Sequence, residues 1–160
     1  MTARLCMNPN PVFLRTSDTV AHGAELIMAK QRRSLPVVDE EDRFAGMFTA
    51  NCLLYLVLPK VATMEQGLDT LPYVEYSLDD LRENLKKYLD MPVTLCLKKE
   101  DVAVVHPDMP IVETLLTLYK AKTNLPVVDR DSGRLVGTIS YYSVGAMIMG
   151  DVKGYGVDGS

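Results

Sequence analysis

The chain repeats one pattern of apolar and polar positions. Leu35-Pro36-Val37-Val38-Asp39 recurs 90 residues later as Leu125-Pro126-Val127-Val128-Asp129. Downstream, Arg43-Phe44-Ala45-Gly46 matches Arg134-Leu135-Val136-Gly137 at a spacing of 91, because the polar turn 129–134 holds one extra residue. Further matches at a spacing of 90 are Val12 with Val102, Asp18 with Asp108, Leu26 with Leu116 and Lys30 with Lys120. These matches in register indicate an internal duplication.

Each copy predicts the element order β-α-β-β-α. The apolar runs at Leu35 and Leu125 are rich in β-branched residues and do not alternate with polar ones, which predicts buried strands. The predicted elements of the first copy are strand Val12–Arg15, helix Thr19–Arg33, strand Leu35–Asp39, strand Phe44–Thr49 and helix Ala50–Leu58. Those of the second copy are strand Val102–His106, helix Met109–Thr123, strand Leu125–Asp129, strand Leu135–Ser140 and helix Tyr141–Gly150. The fold class is therefore α/β (α+β), built from two repeats.

Between the copies, residues 60–91 form a linker with an amphipathic helix at 77–89. Ser77 can cap this helix, and acidic residues follow it in the first turn. One apolar stripe contains Leu78, Leu81, Leu85, Tyr88 and Leu89, so the helix is expected to lie on another part of the protein. The predicted domains are repeat 6–59, this linker, repeat 92–150 and a loose glycine-rich tail at 151–160.

The helix Ile111–Tyr119 is apolar on more than one side. Ile111, Leu115 and Leu118 follow one line along it, and Val112, Leu116 and Tyr119 follow another. A helix of this kind is expected to be buried on two sides. The second side would be covered by the other repeat or by a second copy of the chain.

Composition excludes several classes of protein. The chain has 160 residues, of which 48% are hydrophobic and 24% charged, as in ordinary globular proteins. A net charge of −4 argues against a nucleic-acid binder. The start of the chain lacks the apolar core of a signal peptide, and the longest apolar run, near 52–59, is too short for direct membrane insertion.

The cysteines and histidines carry little chemistry of their own. Cys6, Cys52 and Cys96 are widely scattered and odd in number, which favours a reducing cytoplasm over a disulfide framework. With only two histidines, no metal site is predicted.

The two copies resemble the CBS domain, named after cystathionine β-synthase. The resemblance rests on the element order, on the repeated Leu-Pro-Val-Val-Asp motif, and on a glycine followed three residues later by Thr49 or Ser140. Tandem copies resemble a CBS pair, or Bateman module. The resemblance implies two pseudo-symmetric repeats packed sheet to sheet, a homodimer, and an adenosine-containing ligand (AMP, ADP, ATP or S-adenosylmethionine) bound between the repeats.

The resemblance also indicates where a ligand would bind, and there the sequence departs from the family. The family pattern is Gly-h-h-Thr/Ser-x-x-Asp, whose hydroxyl faces the ligand and whose Asp holds the ribose. Here Cys52 and Ser143 occupy the Asp position. The cleft of the second copy is favoured, because it keeps two hydroxyls and adds tyrosines. The predicted ligand-binding residues are Ser140, Ser143, Tyr141, Tyr142, His106, Leu125, Pro126, Thr49, Leu35 and Pro36.

Structural interpretations of the same residues stay open. Ser140 can simply cap the last helix, Tyr141 and Tyr142 can pack in a dimer interface, and His106 can be an ordinary residue at a strand end. Asp39 is expected to cap the turn after its strand. Two short basic pairs, Lys98-Lys99 and Arg32-Arg33, could meet a ligand phosphate from the rim of the cleft, or form a solvated face.

Two functions follow from the sequence. The first is a cytoplasmic regulatory module that binds an adenosine ligand and controls a partner enzyme or transporter. The second is a structural dimerisation or docking module without a ligand, because the ribose-binding Asp is absent twice. No nucleophile elbow, phosphate-binding loop or zinc motif is present, so no enzyme activity is predicted.

Overall fold

A computed structural model describes residues 1–58 and 76–150. The described helices are α1 (Val20–Lys30), α2 (Ala50–Val57), α3 (Leu78–Lys86), α4 (Ile111–Ala121) and α5 (Tyr141–Met149). The described strands are β1 (Leu14–Arg15), β2 (Ser34–Val38), β3 (Phe44–Thr49), β4 (Leu125–Val128) and β5 (Leu135–Ile139). Two short 3₁₀ helices, Ala3–Leu5 and Val93–Cys96, precede the repeats. The α+β class is thus confirmed; the proposed tail 151–160 and the linker part 60–75 lie outside the described residues.

The predicted buried strands form the centre of each repeat. β2 pairs antiparallel with β3 and parallel with β1, and β4 pairs antiparallel with β5. Every residue of β2 and β4 is buried, as a β-branched apolar run without polar alternation predicts. The first strand of the second repeat, expected at Val102–His106, is reduced to one bridge between Val105 and Val127.

The long helices end earlier than the sequence predicts. Gln31 and Lys122 have left-handed backbone conformations, with φ of 51° and 58°, and these residues end α1 and α4. Because these two residues are 91 apart, the helices correspond at a spacing of 91 rather than 90. The pairings of Leu26 with Leu116 and of Lys30 with Lys120 are therefore wrong by one residue.

A difference in loop length explains this shift. Between the left-handed residue and the leucine that begins the repeated motif, the first repeat has Arg32, Arg33 and Ser34, whereas the second has only Thr123 and Asn124. The longer connection in the first repeat restores the spacing of 90 at Leu35 and Leu125.

Each repeat is completed by a segment that precedes the other repeat. Ala3 is buried in the core of the second repeat, and Val93 is buried in the core of the first. The amide of Ala3 donates to the carbonyl of Met109 at 2.8 Å, and the amide of Val93 donates to that of Asp18 at 2.8 Å. We call the segments 1–8 and 91–98 the exchanged segments.

The exchanged segments cross the last strand of each sheet at a glycine. Asn8 and Thr138 exchange two backbone hydrogen bonds of 2.8 and 3.1 Å, and Lys98 and Met47 exchange two of 2.8 and 2.9 Å. A Cβ at Gly46 would lie 2.8 Å from the carbonyl oxygen of Lys98, and one at Gly137 would lie 2.6 Å from that of Asn8. The crossings therefore require glycine, because any side chain would collide with backbone.

The two sheets also meet directly at the pseudo-twofold axis. Arg43 and Arg134, which are equivalent residues, form a backbone bridge with each other. On either side, Phe44 donates to Gly133 at 2.9 Å and Leu135 donates to Asp42 at 3.1 Å. These reciprocal bonds hold the repeats in one symmetric arrangement.

The predicted linker helix packs against the first repeat. α3 begins at the cap Ser77, whose hydroxyl accepts from the amide of Asp80. Leu85 and Tyr88 pack on the first core, and the side-chain amide of Asn84 donates to the carbonyl of Val57 in α2. Two residues of the apolar stripe thus face the first core, whereas Leu78 is exposed.

No part of residues 1–58 and 76–150 covers the outer side of α4. Val112, Leu116 and Tyr119 are 74%, 49% and 74% exposed. The expectation that the other repeat covers this side is therefore wrong, and coverage by a second copy remains a prediction. Among the described residues, no helix is long and apolar enough to cross a membrane.

Two of the three cysteines are joined in a disulfide, so the expectation of reduced cysteines is wrong. Cys52 at the start of α2 and Cys96 of the exchanged segment 91–98 form a disulfide, and their Cα atoms are 6.1 Å apart. Tertiary packing brings together two cysteines that are 44 residues apart in sequence. Cys6, the counterpart of Cys96, is a free buried thiol whose pKa is raised by burial.

The glycine crossing generates a test. We expect Gly137→Ala to lower the free energy of unfolding by about 1–3 kcal/mol, because the new methyl group overlaps the backbone of Asn8. The matched control is Gly145→Ala in α5, where an added Cβ meets nothing within 4 Å and helix propensity should add about 0.5–1 kcal/mol. Urea unfolding of both variants measures the difference; equal stabilities would contradict the crossing.

The disulfide generates a second test. Reduction is expected to lower the free energy of unfolding by about 2–4 kcal/mol, because the bond closes a long loop in the unfolded chain. Urea unfolding with and without a dithiol reductant measures this, and Cys52→Ser should be insensitive to the reductant. Alkylation of all three cysteines in the unreduced, unfolded protein would show that the bond does not form.

Candidate functional site

A cleft of about 950 Å³ opens between the two repeats. The connection after α1 forms one wall, and the connection after α4 and the first turn of α5 form the other. Its volume lies within the range of ligand sites, roughly 300–1,000 Å³. Because both repeats supply a wall, a ligand here would contact both of them.

The cleft is strongly basic. Lys30, Arg32, Arg33 and Lys122 line it, and no Asp or Glu is among the described residues that do so. None of these four side chains takes part in an ion pair within residues 1–58 and 76–150. Four unneutralised cations on facing walls attract an anion, and arginine binds phosphate through two parallel hydrogen bonds.

Ser140 and Ser143 both line this cleft, but they also cap α5. The hydroxyl of Ser140 accepts from the amide of Ser143 at 3.1 Å, and the hydroxyl of Ser143 accepts from the amide of Ser140 at 3.0 Å. Ser143 also donates its hydroxyl proton to the carbonyl of Ser140 at 3.0 Å. Of these two serines, Ser140 alone has a hydroxyl proton that no acceptor of the described structure receives, so Ser140 suits a ligand better than Ser143.

The two tyrosines line the cleft at its rim. The hydroxyl of Tyr141 donates to the carbonyl of Leu118 at 3.2 Å, so this ring is tied to α4. Tyr142 is 85% exposed and is free to stack on a planar group.

The repeated Leu-Pro pairs lie deeper. Leu35, Pro36, Leu125 and Pro126 line a narrow cavity of about 20 Å³. This cavity shares Asn8, Arg32, Ser34, Asn124 and Thr138 with the basic cleft, so it is the apolar inner end of that cleft.

The remaining two predicted residues do not line the cleft. The hydroxyl of Thr49 accepts from the amide of Cys52 at 3.1 Å and caps α2. His106 lies with Nδ1 2.8 Å from the carbonyl oxygen of Val128, beyond the other end of β4. In the first copy, Cys52 stands at the position of the ribose-binding Asp and is committed to its disulfide.

The aspartates of the repeated motif cap turns, as predicted. Asp39 accepts from the amides of Glu41 and Arg43, and the Arg43 amide is the main reason that the pKa of Asp39 lies below its ordinary value. Asp129 accepts hydrogen bonds from the amide and hydroxyl of Ser132. The hydrogen bond from the Ser132 amide is the main reason that the pKa of Asp129 lies below its ordinary value. These carboxylates therefore serve the turns and not the cleft.

The basic side chains of the cleft are only partly predictable from the sequence. From the sequence, Arg32 and Arg33 are expected at the rim of the cleft or on a solvated face. The sequence does not predict Lys30 or Lys122 as ligand contacts. The available signal was the extra residue after α1, which places two arginines immediately before a buried strand. Among the described residues, no group of three or more potential metal ligands occurs.

The family assignment follows from this fold and site. The family model of the CBS domain matches residues 3–58 and 96–144, more than half of the chain. The chain belongs to the CBS domain family and carries a tandem CBS pair.

One similar sequence is the uncharacterised protein MJ1004 of Methanocaldococcus jannaschii, 27% identical over 140 residues. The match covers 87% of this chain and 52% of the relative, so the chain spans about half the length of that protein. The crystal structure of MJ1004 superposes with a TM-score of 0.63 at 25% identity, covering 92% of this chain and 59% of that one.

Two other solved structures share the fold. The CBS-pair protein CBSX2 of Arabidopsis thaliana superposes with a TM-score of 0.65 at 22% identity, covering 89% of this chain and 90% of that one. The CBS pair of protein MJ0100 superposes with a TM-score of 0.58 at 16% identity, covering 92% and 99%. That pair was crystallised with 5′-methylthioadenosine and S-adenosyl-L-methionine.

Proposed function

We propose that this CBS pair is a regulatory module that binds an adenine nucleotide in its basic cleft and thereby controls a partner enzyme or transporter. The proposal is carried by the four cations that line the cleft, none of which forms an ion pair with another described residue. A structural relative crystallised with adenosine compounds supports the adenosine part. No catalytic role is proposed.

The charge of the cleft selects among the adenosine ligands. S-adenosylmethionine carries a sulfonium cation, which four neighbouring cations would repel. AMP, ADP and ATP carry increasing negative charge, so ATP is expected to bind most tightly. Arg32 and Arg33 would hold the phosphates, Ser140 would donate to the ribose, and Tyr142 would stack on the base.

Such a ligand would act by joining the repeats. Arg33 belongs to the first repeat and Lys122 to the second, so a phosphate held by both stabilises the arrangement that brings them together. A ligand shifts a conformational equilibrium only through different affinities for its states. The partner would sense the change in the angle between the repeats.

The effect of the positive charge of the cleft on ligand affinity can be measured directly. Isothermal titration at constant ionic strength should give affinities in the order ATP, ADP, AMP, with S-adenosylmethionine weakest. Arg33→Gln should weaken ATP binding about tenfold, the cost of a charged hydrogen bond. The control is Arg82→Gln on α3, whose guanidinium is exposed and faces Asp79.

Two outcomes would contradict the proposal: tighter binding of S-adenosylmethionine than of ATP, or equal ATP affinity in the two variants. If no adenosine compound binds the folded protein, the alternative function is favoured. In that case the pair is a dimerisation or docking module. Two observations favour this alternative: the Ser143 hydroxyl already donates to a backbone carbonyl, and Cys52 is held in a disulfide.

We further propose that the pair forms a homodimer through the outer sides of its helices. The uncovered side of α4 carries Val112, Leu116 and Tyr119, and the neighbouring α5 has no charged side chain. At the position of α1 equivalent to Tyr119, Met28 is also exposed. The second repeat therefore presents an apolar helix face outward, and a second copy can cover this face across a twofold axis.

Light scattering at micromolar concentration tests the dimer. Leu116→Lys is expected to give a monomer, because a buried lysine would lack a partner at an apolar interface. The control, Leu78→Lys on α3, changes an equally apolar exposed residue and should leave the dimer intact. A monomeric parent chain would overturn the proposal.

The proposed location is the cytoplasm, where adenine nucleotides are available. Cys52 is buried, and burial would protect its disulfide from cellular thiols there.

A further inference from the structure

A second groove, of about 520 Å³, lies at the other end of the strands from the basic cleft. Val38 ends β2 and Leu135 begins β5, and both line this groove. Ser34 and Ser140, at the opposite ends of these strands, line the cleft. The two sites are therefore separated by the length of the sheet.

Among the described residues, one arginine of the groove has no ion-pair partner, although its symmetry equivalent has two. Arg43 donates to Asp39 at 3.1 Å and to Glu41 at 3.0 Å. Arg134 lines the groove and forms no ion pair within the described part of the chain. In the turn between β4 and β5, Asp129 accepts hydrogen bonds from Ser132 and not from Arg134. The Arg134 guanidinium is thus left available to an anion.

The other charges of the groove cancel. Arg15 forms an ion pair with Asp42 at 2.9 Å, and its guanidinium lies 5.5 Å from the centre of the Phe13 ring. The groove therefore offers one unneutralised cation, whereas the cleft offers four. A single free cation fits a monoanion better than a polyphosphate.

Apart from Asn10, the uncharged residues that line the groove are apolar. Phe13 is 39% exposed, and Pro9 and Pro11 line the groove beside it. Leu14 and Val105 pair with the equivalent residues Val37 and Val127, so Val104 stands in the second repeat where Phe13 stands in the first. The segment before Val104 contains the charged residues 99–101. The duplication has therefore diverged towards an aromatic surface beside a free arginine on one side only.

We propose that this groove binds a small carboxylate that bears an aromatic group. Arg134 holds the carboxylate through two parallel hydrogen bonds, and the ring of the ligand packs on Phe13 and the prolines. The groove is large enough, since its volume lies within the range of small-molecule sites. This second site is independent of the adenine nucleotide in the cleft.

Phenylacetate is the probe, and its neutral counterpart phenylacetamide is the matched ligand. Titration calorimetry should show binding of phenylacetate and at least about tenfold weaker binding of phenylacetamide, because only the acid forms a charged hydrogen bond. Arg134→Gln should weaken phenylacetate binding to the level of the amide. Arg82→Gln on α3 is the control and should bind as the parent chain does.

Three results would overturn the proposal: no binding of phenylacetate to the parent chain at millimolar concentration, equal affinity for acid and amide, or equal affinity in the two variants. Arg134→Gln removes no side-chain bond of the described structure, so the variant should fold, and its thermal unfolding checks this. The variant should also bind ATP unchanged, and Arg33→Gln should bind phenylacetate unchanged. Failure at one site is thereby distinguished from failure at the other.

Discussion

The arrangement of the whole pair depends on the crossing of the exchanged segments over Gly46 and Gly137. Each segment adds buried side chains to the core of the other repeat, Ala3 to the second and Val93 to the first. Neither core is complete from its own contiguous repeat. The backbone hydrogen bonds at the crossings exist only because glycine lets two chains approach so closely. The position of one repeat on the other, and with it the cleft between them, follows from this constraint.

Within this symmetric frame, small differences between the copies determine the chemistry. One additional residue after α1 places Arg32 and Arg33 on the wall of the cleft, where the second copy supplies Thr123 and Asn124. One additional residue in the turn before β5 brings Ser132 to Asp129 and leaves Arg134 without a carboxylate. In the first copy, the disulfide engages Cys52, which stands where the family pattern has an Asp. A duplicated fold can therefore carry unlike sites, because loops change in length without disturbing the buried strands.

Prediction from the sequence succeeded where the physical signal is local. The Leu-Pro-Val-Val-Asp runs formed buried strands, the motif aspartates capped their turns, and Ser77 capped the linker helix. It failed by one residue in the helices, because identical residues at Leu116 and Lys120 suggested a register that the left-handed Gln31 and Lys122 do not follow. The sequence predicts Thr49 and His106 as ligand contacts, but their hydrogen bonds serve a helix cap and a neighbouring carbonyl.

The sequence by itself determined the duplication, the element order and the burial of the central strands, because apolar patterning and turn residues act between near neighbours along the chain. Only the tertiary structure decided that the exchanged segments complete opposite cores and that Cys52 meets Cys96. It also decided that cations from both repeats line one cleft while Arg134 lies in another groove. Such contacts join residues far apart in the chain, and their geometry depends on packing that no local pattern encodes.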